Sequence, residues 1–319
     1  MTGNTEIEHH VRIVTKNNYE EGVPVHTPKW LSIHHVKRYR YGQEPYYQEA
    51  LQAFLSSSNP EYWLQKHTFL LLKPDAFPPR SFDKIIHGLT VDGFGVVKAI
   101  PIRLGRFHIR ELWRYEYNLA NVQRYPLLDM LLSSGDSILL IIRDILGQGC
   151  ASERLTSLKG ASDPAIRSKN SLRTRIGAAN GTLNFIHTPD EPIDVVRELG
   201  VLLPSNEVAD LITETSNNDV VSNSILSEIG KKISKNYPSH ELTLDHVFNH
   251  YGDEFKQQVF DSTHALRSQT LFEIERLASI FSLNNWDKII LANEFLEFCV
   301  PGVVKAFEFE IAVNDNAIA

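Results

Sequence analysis

The run His67-Thr68-Phe69-Leu70-Leu71-Leu72 is apolar from end to end and stops abruptly at Lys73-Pro74-Asp75. It is too short for an independent helix and leaves through a turn, so it reads as a buried strand. The elements after it alternate in kind. Ser81 to Thr90 has helical spacing, with Ile85, Ile86 and Leu89 apolar, and Gly93-Phe94-Gly95 turns into a strand from Val96 to Arg103. Residues 107–119 and 125–133 predict two helices, and Ser137 to Ile142 a further strand. Residues 147–182 are rich in glycine and small residues and read as loop; Thr182 to Ile186 is extended, and Pro192 to Leu199 is a closing helix. This succession predicts an α+β fold, a ferredoxin-like antiparallel sheet with helices on one face.

The flanks are organised differently. Trp30 to Ile33 suggests a short strand, and Gln48 to Leu55 an amphipathic helix broken by Ser56-Ser57-Ser58-Asn59-Pro60. Between them, Lys37 to Tyr47 interleaves basic and aromatic residues. Such a pattern can stack on bases, but on an acidic chain it reads as a segment that docks on the main domain. Thr213 to Ser224 is polar and linker-like. Beyond it, Ile225–Ile233, Leu244–Phe255, Val259–Phe281 and Asp287–Phe298 show helical spacing. The expected division is an N-terminal extension (1–64), a central domain (65–209) and a helical C-terminal domain (210–319). His246 and His250 stand four apart on one of these helices, a spacing that can bind zinc. Without a His-Glu-x-x-His pattern, a solvated face is the expected reading, and no metal site is assigned.

Charge narrows the partners. With 32 basic against 39 acidic residues, the net charge is −7, which speaks against nucleic acid. Cys150 and Cys299 are too few for a disulfide framework and lack zinc spacing. Met1 to Lys16 has no apolar core of signal-peptide length, and no apolar run is long enough to span a bilayer. The expectation is a soluble, cytoplasmic protein with no membrane partner.

Four local features of the central segment carry chemistry. They are Lys73-Pro74-Asp75-Ala76 after the first strand, Ser134-Gly135 before the third, Gly160-Ala161-Ser162-Asp163-Pro164 with Arg173 and Arg175 downstream, and Asn184-Phe185-Ile186-His187 with Asp190 and Glu198 beyond. In order and spacing they resemble the nucleoside diphosphate kinase family, over somewhat less than half of the chain. The resemblance implies that His187 accepts the γ-phosphate and that Glu198 hydrogen-bonds the far side of its ring. It implies that Asn184 helps bind the sugar and phosphates, and that Lys73 contacts the transferring phosphate and the sugar hydroxyl. Tyr117, with Tyr115 as competitor, matches a tyrosine near the histidine. Arg173 matches a phosphate-binding arginine, and Tyr125 an aromatic that stacks on the base. Mg²⁺ would enter with the nucleotide. The partners implied are nucleoside di- and triphosphates and further copies of the chain, here expected to stop at a homodimer because both appendages are large.

The chemistry is consistent with these residue types. A neutral imidazole is a good nucleophile near neutral pH, and a carboxylate on one ring nitrogen fixes the tautomer that leaves the other free. Cations stabilise the charge on a transferring phosphoryl group. Three departures weaken the phosphate clamp. Thr188-Pro189-Asp190 replaces Gly-Ser-Asp, Thr156 stands where a second arginine is expected, and Thr174-Arg175-Ile176 replaces Gly-Asp-Phe. Arg154, two positions from Thr156, could substitute if its loop shifted. The sequence therefore supports two functions: a phosphotransferase working through phospho-His187, or a nucleotide-binding regulatory module with weak or no turnover.

Overall fold

The computed structural model describes residues 27–296; the Met1–Lys16 segment and Cys299 lie outside them. Two helices, α1 (His35–Tyr41) and α2 (Pro45–Leu55), precede α3 (Pro60–Lys66). The central part then runs β1 (His67–Leu72), α4 (Phe82–Val91), β2 (Phe94–Ile102), α5 (Arg106–Leu112), α6 (Arg124–Leu132) and β3 (Ser137–Asp144). It closes with α7 (Ala151–Lys159), the short α8 (Leu172–Arg175), β4 (Ile186–His187), α9 (Pro192–Leu202) and α10 (Ser205–Ser216). The strands pair antiparallel in the order β2-β3-β1-β4, the expected ferredoxin-like sheet. β1 is buried at all its positions and β3 at nearly all. Side chains alternate between faces along a strand, so both faces of the sheet are covered, where the sequence suggested one.

The N-terminal segment packs on the outside of one covering helix. Helix α9 is buried on every side from Pro192 to Leu199, including Asp194, Arg197 and Glu198, and buried charges need partners. α2 packs along it. Gly200 permits the approach, because a Cβ there would lie 2.3 Å from the Tyr46 carbonyl oxygen. Lys37 bonds Asp194 at 2.7 Å and Glu191 at 2.5 Å, and Glu44 accepts from Arg197 Nε at 2.7 Å. Although burial opposes its charge, these two carboxylates push the Lys37 ammonium up to about 12. The interleaved basic and aromatic residues thus dock on the central domain. Trp30 lies in a single 3₁₀ turn (Lys29–Leu31) rather than a strand.

Beyond α10 come α11 (Asn223–Ser234), α12 (Leu244–Asp261), α13 (Thr263–Ser268), α14 (Thr270–Phe281) and α15 (Asn285–Phe295). The helical C-terminal region is as expected in kind but differs in its breaks. α10 runs into the expected linker, which shrinks to residues 217–222, and the long helix read from Val259 is three pieces. Tyr237 anchors this region: its ring stacks on Phe77 at 5.1 Å and its hydroxyl donates to the Asp136 carbonyl. Gly135 makes the room, since a Cβ there would sit 2.3 Å from the Tyr237 oxygen. His246 packs against the His240 ring, and His250 is edge-on to Tyr251. Among the described residues no three His, Cys, Asp or Glu side chains are gathered to hold a metal. No described helix is long and apolar enough to cross a membrane.

Candidate active site

Sheet register builds the site. β4 pairs with the end of β1, Leu71 opposite His187 and Leu72 opposite Ile186. The ladder continues one residue further through the Lys73 N–H to the Phe185 carbonyl, 2.9 Å. Lys73 at the exit of one strand is therefore beside Asn184–His187 at the start of the other. The two residues of Lys-Pro-Asp that carry charge then brace this segment. Lys73 donates to the Thr182 carbonyl at 2.8 Å, and Asp75 accepts the Phe185 N–H at 3.0 Å. Phe185 is held at φ +68°, a left-handed conformation costly for a bulky residue. The strain sits two residues before His187, where the surroundings over-determine the backbone.

After β4 the chain must turn back. Glu191 caps α9, with Pro192 in the first helical turn and the Asp194 carboxylate accepting the Glu191 N–H at 3.2 Å. This start brings Glu198, on the next turns of α9, to His187: Nε2 to Oε2 is 2.7 Å. Burial pushes the Glu198 carboxyl above its ordinary value, while His187 pulls the other way. With Nε2 committed to the carboxylate, Nδ1 is the nitrogen left free; no described residue bonds it. The Trp113 ring stands edge-on to the imidazole at 5.2 Å.

His187 lines a cavity of about 1060 Å³ together with Glu198, Lys73, Arg173 and Asn184. Arg173 donates to the carbonyls of Gly160 (2.8 Å) and Ile186 (2.9 Å), while its Nε is buried with no partner among the described residues. Burial, with Arg167 nearby, pulls its guanidinium down to about 10. Asn184 donates to the Gly181 carbonyl at 2.7 Å, which fixes its amide at the cavity wall. Burial likewise lowers the Lys73 ammonium, with Asp75, 3.5 Å away, opposing.

Three expectations are corrected. Arg154 does not reach this cavity; its guanidinium is held by both oxygens of Asp144 (2.8 and 2.7 Å) and by the Asp92 carbonyl, flat over the Phe94 ring. That network ties α7 to the far end of the sheet and occupies Arg154 away from the cavity. Tyr125 is also outside the lining; its ring is edge-on to Tyr117 at 5.1 Å and its hydroxyl bonds the Tyr117 carbonyl. Tyr117 does line the cavity, but its hydroxyl is spent on the Ile109 carbonyl, 2.6 Å. The competitor Tyr115 gives its hydroxyl to Glu44. The aromatic against His187 is Trp113, which the tyrosine match passed over.

Two departures in the clamp turn out to be neighbours. The Thr156 hydroxyl lies 2.7 Å from that of Thr188 and donates to the Pro189 carbonyl at 3.0 Å. Arg175, the third departure, pairs with Asp92 and stays away from the cavity. The sequence also missed the helical state of residues 151–159 and, with it, Lys159. This buried lysine on the cavity wall approaches the Thr188 carbonyl at 3.3 Å and Asp190 at 3.6 Å.

Comparison with known proteins agrees with the central segment. Residues 66–208 match the family model described as nucleoside diphosphate kinase. A nucleoside diphosphate kinase of Pelotomaculum thermopropionicum is 28% identical over 145 residues, 45% of this chain and 91% of that protein. Among solved structures, the Aquifex aeolicus nucleoside diphosphate kinase aligns at 22% identity and TM-score 0.36, covering 43% of this chain and 93% of that one. A Halobacterium salinarum nucleoside diphosphate kinase in complex with CDP aligns at 19% identity and TM-score 0.37, covering 45% and 90%.

Proposed function

Taking residues 66–208 as a nucleoside diphosphate kinase-like domain, we propose that the chain moves the γ-phosphate of a nucleoside triphosphate to a nucleoside diphosphate through His187. The observation that carries this reading is the 2.7 Å contact between His187 Nε2 and Glu198. It keeps the ring proton on Nε2 and turns the Nδ1 lone pair into the nucleophile. In the first half-reaction Nδ1 forms a bond to the γ-phosphorus, the bond from phosphorus to the β-γ bridging oxygen breaks, and the nucleoside diphosphate leaves with that oxygen. In the second, a terminal β-phosphate oxygen of the acceptor attacks the phosphohistidine, the P–N bond breaks, and Nδ1 recovers its lone pair. The proton on Nε2 stays in place throughout, and Glu198 stabilises the ring as it gains positive character.

Lys73, Arg173 and Asn184 are the groups we assign to the nucleotide. The orphaned Arg173 Nε supports the assignment, since a buried donor without a partner is rare unless a ligand or solvent satisfies it. Mg²⁺ belongs to the substrate in this reading, ligated by phosphate oxygens. No triad of protein ligands for a metal stands among the described residues.

A second reading has its own support: Arg154 is locked to Asp144 and cannot replace the arginine missing at Thr156. Losing one charged contact to the transferring phosphate costs on the order of 2–4 kcal/mol of transition-state stabilisation. A module that binds nucleotide with little turnover is the consequence if nothing compensates. Purified protein incubated with γ-labelled ATP and Mg²⁺ separates the two. The phosphotransferase predicts acid-labile, base-stable label on the wild type, none on His187→Ala, and release of that label by a nucleoside diphosphate. Intact ADP binding without any label overturns it in favour of the binding module.

A further inference from the structure

We propose that Lys159 is a diphosphate-binding residue that takes over the charge lost at Thr156. The inference rests on the phosphotransferase reading and concerns the same cavity.

Helix α7 places Thr156 and Lys159 three residues apart, on one face. Thr156 is occupied in holding the Thr188–Pro189 turn, through contacts of 2.7 and 3.0 Å. Lys159, one turn further, enters from the same side and lines the cavity with His187, Lys73 and Arg173. Its ammonium has three donors, and among the described residues the Thr188 carbonyl, at 3.3 Å, is the one acceptor within bonding distance. Asp190 at 3.6 Å is a distant partner and is 69% exposed, so water competes for it. A buried ammonium so sparsely bonded is costly; burial lowers its affinity for a proton, with Asp190 opposing. A diphosphate would supply the missing acceptors and the missing charge together. Lys73 already donates to the Thr182 carbonyl beside Asp75, and Arg173 spends two of its donors on carbonyls and keeps Nε for the nucleotide.

The site also explains why two departures from the family pattern coexist. Thr156 and the Thr188-Pro189 pair bond each other, and the carbonyl of Thr188 is the one that holds Lys159. Together they exchange an arginine clamp for a lysine placed by the turn after His187.

The test is calorimetric ADP and adenosine binding with Mg²⁺, alongside labelling from γ-labelled ATP, in wild type, Lys159→Met, Lys159→Gln and Lys159→Arg. Two neutral variants are used because a buried position can reject one shape. The neutral variants are expected to bind ADP about tenfold to a hundredfold more weakly, the range of a charge-assisted hydrogen bond. Their adenosine affinity should be unchanged and their labelling slower. Lys159→Arg should stay within about threefold of wild type for ADP. ADP affinity and labelling preserved in a folded neutral variant overturn the role of Lys159 alone. A wild type that neither binds ADP nor takes label removes the phosphotransferase reading, and this inference with it.

Discussion

Glu198 occupies Nε2 of His187, and a second histidine shows how burial opposes a charge. His67, at the start of β1, is 2% exposed and stacked on Trp63, with Nδ1 bonded to the Trp63 carbonyl and Nε2 buried with no partner among the described residues. Burial pulls its proton affinity from the ordinary 6.5 down to about 4. Between those values the unfolded chain binds a proton that the folded one refuses. Stability therefore falls as the pH drops through that window, by about 3 kcal/mol in all, and is unaffected above it. His67→Phe keeps the stack and removes the proton, so its unfolding free energy, from urea titrations at pH 4.5 and 7, should differ less between the two than wild type does. Equal pH dependence in the two proteins would show that His67 is not the group responsible. At this scale the resemblance of the motifs pointed to His187, Glu198, Lys73, Asn184 and Arg173, and these five line one cavity. Trp113, Tyr125 and Arg154 were not legible in this way. Their places depend on how α5 and α6 pack and on the Asp144 carboxylate, which spacing along the chain does not encode.

Helix α9 is the element on which the site depends, and it is held from outside the central domain. Arg197, 1% exposed, lies among the rings of Tyr41, Tyr46 and Tyr115 and bonds Glu44 and the Glu111 carbonyl. Glu198 is its neighbour in the chain. Removing one partner of a buried ion pair strands the other charge, at a cost of roughly 3–5 kcal/mol. Glu44→Gln should therefore lower the urea-unfolding free energy by about that amount, although Glu44 lies outside the family match. A loss below about 1 kcal/mol would mean that Arg197 finds enough compensation from the rings and the carbonyl. Strands β1 to β3 and helices α4 and α6 could be read from period and punctuation, whereas the helix expected over 107–119 ends at Leu112 and gives way to a 3₁₀ stretch, Arg114–Leu119. Helix α7 could not be read so, because Ala151–Lys159 sits among glycines and small residues and its Arg154 is fixed by tertiary contacts rather than by an apolar stripe. The break at Gly252, with φ +81° inside α12, escaped for a similar reason. The flanking residues kept helical spacing on both sides of it.

For the whole molecule, the edges of the sheet bear on assembly. β2 is an edge strand of the sheet, and an unpaired edge invites another chain. Here the segment after α10 covers it. The Val221 N–H donates to the Val96 carbonyl at 2.7 Å, Val220 packs on Gly95, and Arg143 reaches the Asn218 carbonyl at 3.1 Å. Lys98 pairs with Glu214 on the same side. This strap leaves the edge poorly available to a second sheet, and it fits the expectation that the large appendages limit assembly to a homodimer built through some other face. Size-exclusion with light scattering should give twice the chain mass. A hexamer of the wild type would contradict the argument. Val221→Pro tests the strap itself, because proline has no N–H to give to Val96. Its edge should open, and the variant should associate beyond the dimer in a concentration-dependent way. If Val221→Pro keeps the wild-type mass at every concentration while remaining folded, the strap is not what restrains assembly.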